Sequence, residues 1–258
     1  MSADLTKLLR EWAYEPGQIN VRVIEGDDGD PKIQMRLDLG ILQMEASGRP
    51  DGQHPNGFDS LLEYHEAAVD EHNATNPDEA GGYSISPDDC RHLREEAVQY
   101  YHRYIGLLVL GDYLGVVRDT TRNLRVLDLC RDYAEAEEDQ EILEQFRPYI
   151  LMMRSRALAS MAVAESQPNA AVIAIDEGLE GIKGHYLEHA EADAFEAANE
   201  VALLRGMRDE LVKKLPASQK SELRRRLAEA IERENYELAA ILRDELRMMK
   251  DDEPGKPR

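Results

Sequence analysis

Residues His92 to Leu110 read HLREEAVQYYHRYIGLLVL, and Gly111 to Leu129 read GDYLGVVRDTTRNLRVLDL. In the first stretch Leu93, Ala97, Tyr100, Tyr101, Tyr104, Leu107 and Leu108 recur at spacings of three and four. That spacing gathers them on one face of a helix with 3.6 residues per turn. Gly111-Asp112-Tyr113 breaks the pattern, and a second helix follows with Leu114, Val117, Thr121, Leu124, Leu127 and Leu129 as its apolar and small positions. A third pattern runs from about Glu141 to Ala164, and Ser166-Gln167-Pro168 interrupts it before a fourth from Asn169 to Tyr186. Pro168 suits a helix start, where its missing N–H leaves no bond unmade. Residues 89–190 therefore read as a helical bundle. A connecting helix is expected within 191–216, with Phe195, Val201, Leu203, Leu204, Met207 and Leu211 as its apolar positions and Pro216 as its stop.

Toward the N-terminus the period changes from 3.6 to two. Ile19, Val21 and Val23 alternate with polar residues, as do Ile33, Met35, Leu37 and Leu39. Each run predicts a strand with one buried face, and the turn formers Gly26-Asp27-Asp28-Gly29-Asp30-Pro31 between them predict a β-hairpin. The apolar parity shifts across Gly40, which reads as a bulge or bend. Gly48-Arg49-Pro50-Asp51-Gly52 is a second turn, and a helix is expected from Phe58 to Val69, with Leu61, Leu62, Tyr64 and His65 near its apolar side. Residues 1–75 thus form a small α+β domain. The turn-rich stretch 73–88 marks a domain boundary.

Hydrophobic residues make up 42% of the chain and charged residues 32%, enough apolar material for real cores. No apolar run reaches the roughly 20 residues needed to span a bilayer, and the first residues lack a secretory signal. Two cysteines cannot build a disulfide framework or a four-cysteine zinc site. A cytoplasmic location is expected. The formal net charge is −21. Residues 1–90 carry 6 basic and 19 acidic side chains, whereas residues 191–258 carry 14 and 16. An acidic body repels phosphate backbones, so direct nucleic-acid binding is not expected. Arg224-Arg225-Arg226 is the only locally basic stretch, and it reads as a solvated helix face.

Gly111-Asp112-Tyr113 with Val116, and Ser166-Gln167-Pro168 with Ala171, Ile175 and Gly178, resemble the turns of tetratricopeptide-type helix pairs. The two turns lie 55 residues apart (166 minus 111), against a repeat period of about 34. The resemblance implies a concave peptide-binding surface in the central bundle.

Residues 219–250 predict an antiparallel helical hairpin. Ser218 or Ser221 can cap its first helix, whose stripe is Leu223, Leu227, Ala230 and Ile231. Asn235 can cap the second, where Ala239, Leu242, Leu246 and Met249 form a narrow seam of coiled-coil type. Two helices this short bury too little apolar area to offset chain entropy alone. The stretch Glu234-Asn235-Tyr236-Glu237-Leu238-Ala239-Ala240-Ile241-Leu242-Arg243-Asp244-Glu245-Leu246 resembles the UVR motif, the UvrB/UvrC-type interaction hairpin. That family combines an aromatic, a Glu, two alanines, an apolar residue, Arg-Asp-Glu and a further apolar residue. The resemblance implies protein binding through Leu223, Leu227, Tyr236, Ala239, Ala240, Leu242, Arg243, Asp244 and Leu246. The implied partner is another protein with a UVR-like hairpin, or a second copy of this chain. In this family the hairpin joins the excision-repair proteins UvrB and UvrC, and it occurs in McsA-type adaptors of bacterial stress proteolysis.

No catalytic constellation stands out. There is no phosphate-binding loop of the Gly-x-x-x-x-Gly-Lys type and no Cys-x-x-Cys pair. His65 and His72 are seven apart and read as solvated helix groups. His185 and His189 are four apart, a spacing that suits chelation, but no third ligand is identifiable, so a helix C-terminal role is expected. Cys90 and Cys130 read as small buried hydrophobes. Asp38, Glu45, Arg49 and Asp51 cluster near turns, as chance allows in a chain with 52 acidic residues. The expectation is a non-enzymatic interaction protein of mainly α fold, with no cofactor, no metal and no small-molecule substrate.

Overall fold

The computed structural model describes residues 4–76 and 82–214, and in the tail 226–229, 231–232 and 242–243. The chain divides into two compact units, Met1–Leu211 and Val212–Arg258. In the first, α1 (Thr6–Glu11) precedes three strands, β1 (Asn20–Glu25), β2 (Pro31–Arg36) and β3 (Ile41–Glu45). The described helices then follow as α2 (Leu61–Thr75), α3 (Pro87–Leu110), α4 (Tyr113–Tyr133), α5 (Glu137–Glu141), α6 (Arg147–Ala164), α7 (Pro168–Glu188), α8 (Ala192–Phe195) and α9 (Asn199–Lys214), the last of which continues past Leu211 into the second unit. The fold is mainly helical, with an N-terminal antiparallel sheet in the order β1-β2-β3.

The expected β-hairpin is present, with Val23 opposite Ile33 and Val21 opposite Met35. The reading of Gly40 is corrected. The parity shift there is a chain reversal rather than a bulge: the Leu37 N–H donates to the Gly40 carbonyl at 2.9 Å, and β3 returns along β2. Leu37 and Leu39, expected on the buried face, therefore sit in this turn, Leu39 at 87% exposure. Ile19 and Val23 are exposed too, while Val21 packs on the core. As the central strand, β2 is covered on both faces. Ile33 and Met35 meet Gly106 of α3, and on the other face Lys32 reaches Glu45 while Gln34 bonds Arg22 and Gln43.

Two helical hairpins carry the body. Gly111 adopts the left-handed backbone (φ 77°) that ends α3, and the Asp112 side chain accepts from the Gly115 N–H to cap α4. Pro168 opens α7 as expected. The two hairpins meet through α4 and α6, and α7 packs on α6. Each hairpin exceeds the roughly 34 residues of a tetratricopeptide unit, and α5 with a 3-10 turn (Glu144–Phe146) intervenes between them.

One apolar cluster joins Ile33 and Met44 of the sheet to Tyr104, Leu107, Met153, Ile175 and Leu204 of the helices. The expected boundary at 73–88 therefore separates no independent cores, because the sheet uses the helices to bury its apolar face. The expected connecting helix also belongs to this core, through Val201 and Leu204 of α9. A second cluster, with Leu62, Ile85, Leu93, Val126 and Leu127, lies under α2.

Candidate functional site

Most of the buried charge in the body ties elements together. Arg103 of α3 grips Asp119 of α4 through two bonds of 2.7 and 2.9 Å, and its remaining nitrogen donates to the Glu45 and Gly48 carbonyls. Glu96 accepts from the Leu61 N–H at 2.9 Å, at the open N-terminus of α2, and pairs with Arg49 and Arg122. The loop carboxylates singled out in the sequence separate: Glu45 holds Lys32, and Asp51 sits beside Arg49 and Gln99. Asp38 accepts the following Leu39 N–H. They form no acid–base pair.

The other candidates sort by burial. The Nδ1 of His65 lies 3.2 Å from the Tyr83 hydroxyl, and His72 tilts toward the same Tyr83 ring. Burial holds His65 below its ordinary range, against the pull of Asp89. Cys90 and Cys130 are both fully buried, and burial raises both thiols, Cys130 to about 12, so neither is thiolate at neutral pH. His185 lies in the last turn of α7 and His189 caps that helix, while Glu144 approaches them from the 3-10 turn before α6. No sequence spacing pointed to Glu144.

A groove of about 770 Å³ opens between α3, α4 and α6, with Val98, Tyr101, Ile142, Phe146 and Tyr149 in its wall. Tyr101 stacks edge-on against Tyr104 and tilts against Tyr149.

The second unit is described in part. Arg226–Glu229, Ile231, Glu232, Leu242 and Arg243 are helical, whereas Asn235, the expected cap, lies outside the described residues. Of the expected protein-binding residues, Leu227 is half-buried, Arg243 is exposed and Leu242 is 2% exposed. The chain itself therefore covers Leu242, which suits a seam position better than a surface offered to a partner. Leu223, Tyr236, Ala239, Ala240, Asp244 and Leu246 lie outside the described residues. Ile231, absent from the expected set, is 54% exposed. Residues 217–252 match the UVR family, the UvrB/uvrC motif. The chain carries a UVR motif. The UVR motif is a helical hairpin that mediates protein–protein association. Its matched span brackets the expected hairpin at 219–250 and falls within the second compact unit. No curated protein and no solved structure matches the chain. Among the described residues, no helix is long and apolar enough to cross a membrane.

Proposed function

We propose that this protein is a non-enzymatic, cytoplasmic bacterial adaptor whose UVR hairpin docks on a second UVR-type hairpin. The partner is an excision-repair protein of the UvrB/UvrC type, a stress-proteolysis protein of the McsA type, or a second copy of this chain. The observation that carries this reading is the UVR match at 217–252, set in a unit of its own after a compact body. The body supports it as a scaffold, since Glu96, Arg103 and Asp119 are consumed in holding helices and turns. Among the described tail residues, Ile231 is an exposed apolar side chain that a partner would cover. Burying the exposed half of an isoleucine contributes about 1 kcal/mol, and an Asp there would be desolvated at higher cost.

The test is a fluorescence titration of the labelled full-length chain against a UvrB/UvrC-type protein and an McsA-type protein. Sedimentation of the chain alone covers self-association. Saturable binding in one arm, weakened about tenfold or more by Ile231→Asp, is the expected result. Failure of all three arms, or equal binding by Ile231→Asp, rejects the proposal.

A second reading rests on the groove beside Tyr101 and Phe146. There the body is a peptide-binding module of tetratricopeptide-like character and the hairpin packs on its own bundle. Partner binding that survives removal of the tail would favour it.

A further inference from the structure

We propose that Glu144, His185 and His189 form a binding site for one divalent transition-metal ion of the zinc class. The site would pin the turn before α6 to the end of α7, and it is independent of the UVR reading. One ligand atom from each residue lies within 4.8 Å of the other two. Helical spacing of four stacks the two imidazoles, with ring centroids 4.2 Å apart. Glu144 arrives from a different element, and its Oε2 is 3.7 Å from Nδ1 of His185.

The imidazole nitrogens show why this is more than a chance cluster. His185 is 9% exposed, yet its Nδ1 makes no hydrogen bond. Leaving a buried polar nitrogen without a partner is costly, so such an atom signals a missing neighbour. His189 lies 2.8 Å from the His185 carbonyl through its own Nδ1, which must therefore carry the proton and donate. That bond fixes the tautomer and leaves Nε2 of His189 with a free lone pair, as the outer bond of a metal-ligating histidine does.

Two imidazoles and one carboxylate suit zinc, cobalt or nickel, whereas magnesium and calcium call for all-oxygen sets. Bonds of about 2.0–2.1 Å in a tetrahedral site place ligand atoms roughly 3.3 Å apart. The metal would thus draw the ligand atoms together by no more than about 1.5 Å, and His189, on the exposed side, has room to move. Water would complete the fourth position there. Arg147 is the competitor, bonding both Glu144 oxygens at 2.5 and 2.6 Å. Arg147 also bonds Asp128 at 2.9 Å, and each carboxylate oxygen has two lone pairs, so Glu144 can serve the guanidinium and a metal together.

The test is a titration of the full-length chain with Co²⁺, followed by its visible d–d absorption, with Zn²⁺ as the displacing ion. A 1:1 tetrahedral or five-coordinate spectrum that Zn²⁺ abolishes is the expected result. His189→Ala and Glu144→Gln should each weaken Co²⁺ binding about tenfold or more, because each removes one of three protein ligands. His189 is exposed, so His189→Ala is expected to melt as the parent does, and circular dichroism checks this. Absence of the d–d spectrum overturns the proposal. So does an affinity that His189→Ala and Glu144→Gln leave unchanged, since the metal would then sit elsewhere.

Discussion

At the scale of single residues, Arg103 and Asp119 are the most consequential pair in the body. Both side chains are essentially without solvent, and Arg103 also holds the carbonyls of Glu45 and Gly48 after β3. Removing one member strands the other's charge in a dry setting, which costs about 3–5 kcal/mol. Asp119→Ala should lower unfolding free energy by that amount, measured by urea denaturation. The double change Arg103→Met with Asp119→Leu should lose less than Asp119→Ala alone, because no buried charge is left over. No pattern in the sequence announced this pair. Two opposite charges 16 positions apart are common in so charged a chain, and only the packing of α3 on α4 dries these two. Glu144 went unnoticed for a related reason: its neighbours His185 and His189 reach it through folding rather than through helical spacing.

At the scale of elements, α6 and α7 pack closely where Gly178 meets Ser155. A Cβ built on Gly178 of α7 would lie 2.0 Å from the Ser155 hydroxyl of α6. On an exposed helix, Gly→Ala stabilises by about 1 kcal/mol. Here Gly178→Ala must push the helices apart, and overpacking of about 1–3 kcal/mol outweighs that gain. A lower melting temperature for Gly178→Ala, partly restored by adding Ser155→Gly, is the expected result. A rise in melting temperature would show the contact to be slack. The helices themselves were legible, because Leu93, Ala97, Tyr104 and Leu107 repeat with the helical period and Gly111 and Pro168 punctuate them. The third strand was not. Residues 37–45 carry the same alternation whether the chain bends at Gly40 or reverses there, and the choice rests on the Leu37–Gly40 bond and the pairing of β3 with β2.

At the scale of the whole molecule, the body and the UVR-bearing tail are distinct units. A chain ending after Lys214 is expected to keep one cooperative melt within a few degrees of the parent, read by circular dichroism, since among the described residues every member of the main apolar cluster precedes that point. Loss of that cooperativity would mean that the body depends on the tail. What the amino-acid order by itself determined was local. Apolar residues three and four apart make helices, Gly-rich and Pro-bearing breaks end them, and the run from Tyr236 to Leu246 spells the UVR motif, because these signals lie within one or two turns of chain. Which elements share a core was decided only in three dimensions. The sheet could bury Ile33 and Met44 nowhere but on the helices, and that requirement joined residues 1–75 to 89–211 across a stretch that looked like a boundary.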